Sequence, residues 1–457
     1  MPPQEDGLPA PRRSKAAGAV WLALMAVSIE LMAMSVALPA IAASFHASPA
    51  AAIWVVKAYQ LGVLLTLLPF SALGERIGYR RVYEAGLLLY AIAALGCLAA
   101  PSLTLLILCR AIQGIGMSGI VSVNGALMRH IFPHDRLARA FATNALIVAA
   151  FGAAGPSIAS LLIAFASWHW IFVLSAPLCG FALLLGLRSL PDNPRSPMYD
   201  GVSAALYAGT LGMVFLGTEL MRLAAAPLPI CAIFAAGAAT GIALFGRSRK
   251  RPRPLLPVDL LRSRLFLLSI LTSVAAFAAQ TLAFVTLPFL LPHAMPISLA
   301  EIGPLMMAWP IAVGCAAPLA GRLAGRIATS TLAGTGLALM AAGLALMLCL
   351  PPLPALPDIG WRLALCGFGF GFFQAPNNHA VLTAAPIERA GAAAGMQAIA
   401  RHLGQIAGAS LAAAAFSLAP DKMFVGIAVA AAIAGLGAAT SLARRLARAS
   451  SSPPEPA

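Results

Sequence analysis

Apolar runs of about twenty residues recur along this chain with only short interruptions, and that recurrence limits the fold more than any single motif. A helix needs about 20 apolar residues, at 1.5 Å of rise each, to cross a hydrocarbon core ~30 Å thick. Applied from the N-terminus, this rule predicts spans at 17–42, 51–74, 82–100, 104–128, 140–163, 168–187, 201–221, 227–246, 265–290, 303–324, 328–350, 361–384, 391–416 and 423–443, fourteen in all. The connections leave no room for a soluble catalytic domain. Runs this long satisfy their backbone groups in lipid as helices, so the expectation is an all-α polytopic membrane protein. Only 10% of the residues are charged, against about 25% in soluble domains, so water cannot be the sole solvent.

The net charge of +15 raises a nucleic-acid partner as a reading, and the placement of the charge rejects it. With the N-terminus in the cytoplasm, 24 of the 30 Lys and Arg residues fall on the cytoplasmic side. Arg222, Arg362 and Lys422 fall outside, and Lys57, Arg110 and Arg401 within spans. This is the positive-inside bias, and one missed span would destroy it. The densest basic stretch, Arg247 to Arg264, encloses an apolar run, Pro254 to Leu261, that is suited to the headgroup layer. Arg12, Arg13 and Lys15 precede the first apolar run, which is too long for a signal-peptide core and is expected to stay as span 1. The tail ending SSPPEPA has a disordered composition. Arg outnumbers Lys by 26 to 4, a habit of GC-rich bacterial genomes. The seven cysteines lie in or beside apolar segments with no metal-ligand spacing, so neither a metal site nor a disulfide framework is expected, and no cofactor.

Two pairs of segments echo each other. LLILCRAIQGIGMSGI in span 4 and LALCGFGFGFFQAPNN in span 12 each place a cysteine before closely spaced glycines. SALGERIGYRR after span 2 and AGRLAGR at the end of span 10 each place Gly and Arg at a cytoplasmic turn. Internal repeats of this kind mark many transporters. They relate spans 1–6 to spans 9–14 and leave spans 7 and 8 as an inserted pair.

Together with IELMAMSVALPAI in span 1, WVVKAYQL in span 2, CRAIQGIG in span 4, AAGPSIAS in span 5 and SWHWIFVLSAPL at span 6, these segments resemble the fourteen-span drug:proton antiporters of the major facilitator superfamily, the EmrB/QacA type. The resemblance covers roughly residues 17–443. It implies a major facilitator fold of two six-helix bundles plus two inserted helices: a cytoplasmic tail at 1–16, an N-terminal bundle at 17–187, the inserted pair and basic loop at 188–264, a C-terminal bundle at 265–443, and a disordered cytoplasmic tail at 444–457. It also implies a bacterial inner-membrane exporter of small amphipathic organic compounds, driven by protons, with both termini cytoplasmic. Substrate, protons and lipid are the implied partners, and an envelope adaptor protein is the one macromolecule left open. A facilitator or carrier of a specific metabolite, and a transport-inactive sensor, are the alternatives. A lipophilic cation is the first substrate expectation, with neutral and anionic compounds close behind, because Glu219 is the only other membranous carboxylate. No His/Asp/Ser cluster suggests an enzyme.

Charges inside a membrane cost at least ~2.5–3.5 kcal/mol each on insertion scales, which makes them functional suspects. Glu30 lies ~18 Å along span 1 by helix rise. Desolvation there favours proton uptake, and the resemblance places Glu30 at the family's span-1 acid, with Met32 and Ser35 departing from the pattern. The alternative is a carboxylate paired with an arginine to hold helices together. Arg110 and Gln113 stand in the R-x-x-Q-G-x-G pattern of span 4, where the resemblance implies proton coupling. Lys57 has two expectations: pairing with Glu30 or snorkelling outward. Glu75, Arg76, Gly78, Arg80 and Arg81 match the family's cytoplasmic latch, with Ser71, Glu75 and Tyr79 substituted. Gly152, Gly155 and Pro156 match its antiporter motif, although Ala159 and Ser160 replace a Gly pair. The repeat makes spans 1, 4, 9 and 12 central. This nominates Lys57, Gln113, Phe277, Gln280, Phe284, Phe372, Gln374, Asn377 and Asn378 for a substrate cavity, with ordinary packing and interhelical hydrogen bonds as the competing reading.

Overall fold

The computed structural model describes residues 7–193, 199–222, 226–251, 254–351, 354–386, 389–418 and 424–449. Among the described residues there are fourteen helices of twenty residues or more and no strand. They are α1 (Ala10–Ser44), α2 (Trp54–Ile77), α3 (Tyr79–Leu98), α4 (Leu103–Ile131), α5 (His134–Phe165), α6 (Trp170–Ser189), α7 (Gly201–Arg222), α8 (Pro227–Lys250), α9 (Arg264–Ala294), α10 (Leu299–Leu323), α11 (Thr329–Leu348), α12 (Leu356–Thr383), α13 (Ala390–Leu418) and α14 (Phe424–Ala449). A one-turn helix, Pro49–Ala52, leads into α2, where the Ser48 hydroxyl accepts from the Ala51 N–H at 3.2 Å.

Twelve of the fourteen, all but α12 and α13, are long and apolar enough to cross a membrane. The two exceptions carry Gln374, Asn377, Asn378 and His379, and Gln397, Arg401, His402 and Gln405. Polar side chains on a helix interior lower its hydropathy without shortening it. Helix ends run past the expected spans. α1 starts at Ala10 inside the expected tail, and α14 reaches Ala449, so 444–449 is helical instead of disordered. Arg195, Arg253 and Lys422, used above for orientation, and the tail from 450 lie outside the described residues.

By packing, the chain forms two compact units. The first holds Met1–Glu30, Ala58–Phe151 and His169–Val258; the second holds Leu31–Lys57, Gly152–Trp168 and Asp259–Ala457. The division therefore cuts α1, α2 and α5, and the expected inserted pair α7–α8 falls within the first unit. Tyr207 on α7 explains this locally, because its hydroxyl donates to the Leu64 carbonyl of α2 at 2.9 Å. α7 and α8 also meet through Thr210 and Thr240, 3.1 Å apart. In the second unit α9 packs on α13 and α14, and α12 packs between α10 and α11. Leu260, at the end of the apolar run expected in the headgroup layer, is buried in the protein, and Asp259 beside it accepts from Arg389 at 3.0 Å.

The close helix contacts repeat within the two units. A Cβ on Gly114 of α4 would sit 2.0 Å from the Tyr59 carbonyl oxygen of α2, and one on Gly367 of α12 would sit 2.1 Å from the Trp309 carbonyl of α10. Only glycine permits either approach. Gly116 and Gly369, two residues on, abut the backbones of Tyr90 and Met340 in the same way. The repeat is thus registered on the glycines. In that register Cys109 falls opposite Arg362, so the shared cysteine that first suggested the echo is not in equivalent positions.

Candidate functional site

In the first unit, α1, α2 and α4 bring four side chains together in a fully buried cluster. Glu30 and Arg110 are each 1% exposed and Gln113 is 0% exposed. Arg110 Nη1 donates to Glu30 Oε1 and, at 2.6 Å, to Gln113 Oε1. Gln113 Nε2 donates to Glu30 Oε2 at 3.0 Å. Both carboxylate oxygens are therefore occupied, and one glutamine closes the ring of contacts between acid and base. The guanidinium also lies over the Tyr59 ring, 4.3 Å from its centroid. The tight α2–α4 approach at Gly114 brings Tyr59 to Arg110. The spacing of three between Arg110 and Gln113 puts both on one helix face. Of the two expectations for Glu30, the structure shows the arginine pair.

Lys57 is not outward-reaching. It is 0% exposed, and its ammonium sits 4.3 Å from the Trp54 ring centroid. Glu219 is engaged locally, accepting from Arg222 Nε at 2.6 Å.

The turn between α2 and α3 is held by Gly78, Tyr79 and Arg80. Gly78 has φ +111°, which only glycine adopts without strain. This positions the Tyr79 N–H to donate to the Asn193 side-chain oxygen at 2.6 Å. Arg80 donates to Glu84 at 2.8 Å and to the Leu187 carbonyl at 2.5 Å, and lies 3.7 Å from Asp192. Arg76 sits over the Tyr199 ring at 5.9 Å. Glu75 and Arg81 are exposed, and neither forms an ion pair among the described residues. The acid expected to carry the latch therefore takes no part in the turn's own contacts. Nearby, Asp200 joins α7 to α8: it accepts from the Ser203 hydroxyl at 2.7 Å and from Arg247 at 2.9 Å. Burial alone would raise its pKa, but these hydrogen bonds and the Arg247 charge overcome it and hold the carboxyl down at about 2.

In the second unit, α5 meets α10 at the antiporter-like motif. The Pro156 carbonyl and the Ser160 hydroxyl each lie 2.3 Å from where a Cβ on Gly303 would stand. The Ser157 hydroxyl contacts Met307 Sδ. Gly155 is buried beside Pro156, and Gly152 faces Met32. Glycine is thus supplied on the partner helix, at Gly303, where Ser160 replaces one of the expected glycines on α5.

The cavity nominees separate. Asn377 is 0% exposed; its amide donates to the Ser273 hydroxyl at 2.7 Å and accepts from Arg444 at 2.8 Å. Asn378 accepts from Gln397 at 2.9 Å. Both are packed into a polar network across α9, α12, α13 and α14. Phe284 is buried edge-on against Trp309, which is the packing reading. Phe277 is buried against Phe370 and under Arg401. Gln280, Phe372 and Gln374 are half-buried. Arg444, counted above with the cytoplasmic residues, is 1% exposed and donates to Ser269 and to Asn377, each at 2.8 Å, and to Ser441. Nothing in the sequence separates it from the neighbouring Arg445 and Arg448, because its burial follows from helix packing.

An all-helical, multi-pass chain with charged side chains buried among its helices has the architecture of a membrane carrier. Residues 20–409 match the Major Facilitator Superfamily, and the chain belongs to that family. It is 43% identical over 90% of both chains to the uncharacterized transporter YebQ of Escherichia coli (strain K12). It is 25% identical to the riboflavin transporter RibZ of Clostridioides difficile (strain 630), covering 79% of each chain. It is 28% identical to the drug efflux pump JefA of Mycobacterium tuberculosis, over 87% of this chain and 79% of that one. Among solved structures, the POT family transporter PepTSo superposes with a TM-score of 0.75 at 14% identity, covering 97% of this chain and 99% of that one. That likeness concerns the fold.

Proposed function

We propose that the protein is a fourteen-span, proton-coupled antiporter of the drug-exporting type, set in a bacterial inner membrane with both termini cytoplasmic, that expels small amphipathic organic compounds by alternating access. One observation carries this reading: the buried Glu30–Arg110–Gln113 cluster. Protonation of Glu30 removes the negative charge that holds Arg110, so the proton and the α1–α4 connection are exchanged for one another. Gln113 supplies an alternative acceptor to the released guanidinium. Substrate binding and protonation then compete for one charge state of the cluster, and this competition is the basis of antiport. The turn at Gly78, Arg80 and Asn193 serves as the cytoplasmic latch, with Glu75, Arg76 and Arg81 exposed for contacts made during the transport cycle. Gly152, Gly155 and Pro156 form the joint on which α5 moves. Likeness to the drug efflux pump JefA supports multidrug export. Likeness to the riboflavin transporter RibZ favours the second reading, a carrier for one metabolite.

The test uses purified protein in proteoliposomes with an imposed pH gradient and a pH-sensitive dye. Lipophilic cations, neutral drugs and organic anions are added one at a time. Proton movement that depends on a compound, and is lost in Glu30→Gln, is the expected result. Compound transport without proton movement would replace antiport with facilitated diffusion.

A further inference from the structure

Among the described residues, three buried arginines are held by hydrogen-bonding protein groups, and Arg401 is not. Arg110 is held by Glu30, Arg444 by Ser269, Asn377 and Ser441, and Arg362 by Asp358 and the Leu346 carbonyl. Arg401, midway along α13, has no hydrogen-bond or ion-pair partner among the described residues, and its Nε is buried without an acceptor. Its one contact is aromatic: the guanidinium carbon lies 5.3 Å from the Phe277 ring centroid on α9. Phe277 is in turn fixed edge-on by Phe370 of α12, at 5.3 Å and 78°. Arg401 is half-buried as a residue.

The local backbone accounts for the position of Arg401. Gly404 and Gly408 let α13 touch α9 directly: Cβ atoms there would sit 2.5 Å from the Val274 carbonyl and 2.3 Å from the Ala278 carbonyl. That contact fixes Arg401, one turn earlier, on the ring of Phe277. A guanidinium over a ring face still carries N–H donors in its own plane, which can receive a carboxylate or sulfonate in two parallel hydrogen bonds. A cation this deep with no protein acceptor costs stability, and its retention has a ready explanation in a ligand that supplies the missing charge.

We propose that Arg401, seated on Phe277, is the anchor for the acidic group of the transported compound, so that the substrates are aromatic or amphipathic organic anions and not lipophilic cations. The inference rests on the carrier reading above and deepens it. It also reverses the order of substrate charge expected from sequence.

Equilibrium binding to the purified full-length protein in nanodiscs tests it, with 2-naphthoate, its neutral isostere 2-naphthamide and tetraphenylphosphonium as probes. The expected result is saturable binding of 2-naphthoate, with the amide about tenfold weaker or worse, as loss of a charge-assisted hydrogen-bond pair implies. Arg401→Gln should weaken 2-naphthoate by about the same factor and leave 2-naphthamide unchanged, while Arg401→Lys restores part of the loss. Equal naphthoate affinity in Arg401→Gln overturns the proposal, as does preferential binding of tetraphenylphosphonium or no saturable naphthoate binding. The retained amide affinity of Arg401→Gln, with an unchanged thermal midpoint, separates this result from misfolding. If naphthoate binds through Arg401 yet moves no protons in liposomes, the anion site stands and the antiport reading fails.

Discussion

Neutralising Glu30 and Arg110 singly and together measures what their pairing contributes. In Glu30→Gln the arginine keeps its charge at 1% exposure and loses its counter-ion; in Arg110→Gln the carboxylate is left with Gln113 as its donor. Removing one member of a buried pair costs about 3–5 kcal/mol, because the other charge stays buried. Replacing both by glutamine leaves three neutral amides in contact, which can hydrogen-bond one another and strand no charge. The double variant should therefore cost about 2–3 kcal/mol less than the sum of the two singles, within the range seen for coupled neighbours. The assay is unfolding in mixed detergent micelles, followed by circular dichroism for the wild type, both singles and the double. A sum that holds within about 0.5 kcal/mol would mean the two charges do not stabilise one another, and the coupling role built on them would fall. The double variant should also remain without compound-dependent proton movement, because no carboxylate is left in the cluster.

Two further outcomes follow from geometry. Gly114→Ala places a methyl 2.0 Å from the Tyr59 carbonyl, where only backbone movement relieves the clash; overpacking of this kind costs about 1–3 kcal/mol, and an unchanged thermal midpoint would refute the close α2–α4 contact. Asp200 has a folded pKa held at about 2, below its ordinary 3.8, so it contributes stability above pH ~4 that is lost as pH falls toward 2. Thermal midpoints of wild type and Asp200→Asn should converge over that acid window, and parallel curves would count against the Ser203–Asp200–Arg247 contacts.

Much of the fold was legible because membrane insertion is read off segment length and hydropathy. Each expected span coincides with one of the long helices, and the buried charges Glu30, Lys57, Arg110 and Arg401 were all visible as charges interrupting apolar runs. The limits were equally physical. Hydropathy registers how polar a helix is but not which way its polar groups face, so α12 and α13, the most interior-looking in their side chains, are the two that fall below the apolar threshold.

The sequence by itself determined the helical class, the number and order of long helices and the suspect charges, since each depends on local composition and on the cost of polar groups in lipid. Only tertiary structure decided how the charges are satisfied. Glu30 and Arg110 lie eighty residues apart and meet only when α1 and α4 are packed. Arg444 is buried where its neighbours in sequence gave no sign of it, and the cavity nominees divide into packed and reachable groups. Arg401 stands apart because α13 meets α9 closely at Gly404 and Gly408, with its guanidinium over Phe277 and no acid beside it among the described residues. Partners of this kind are chosen by helix approach and rotation, which arise from packing among segments distant in sequence.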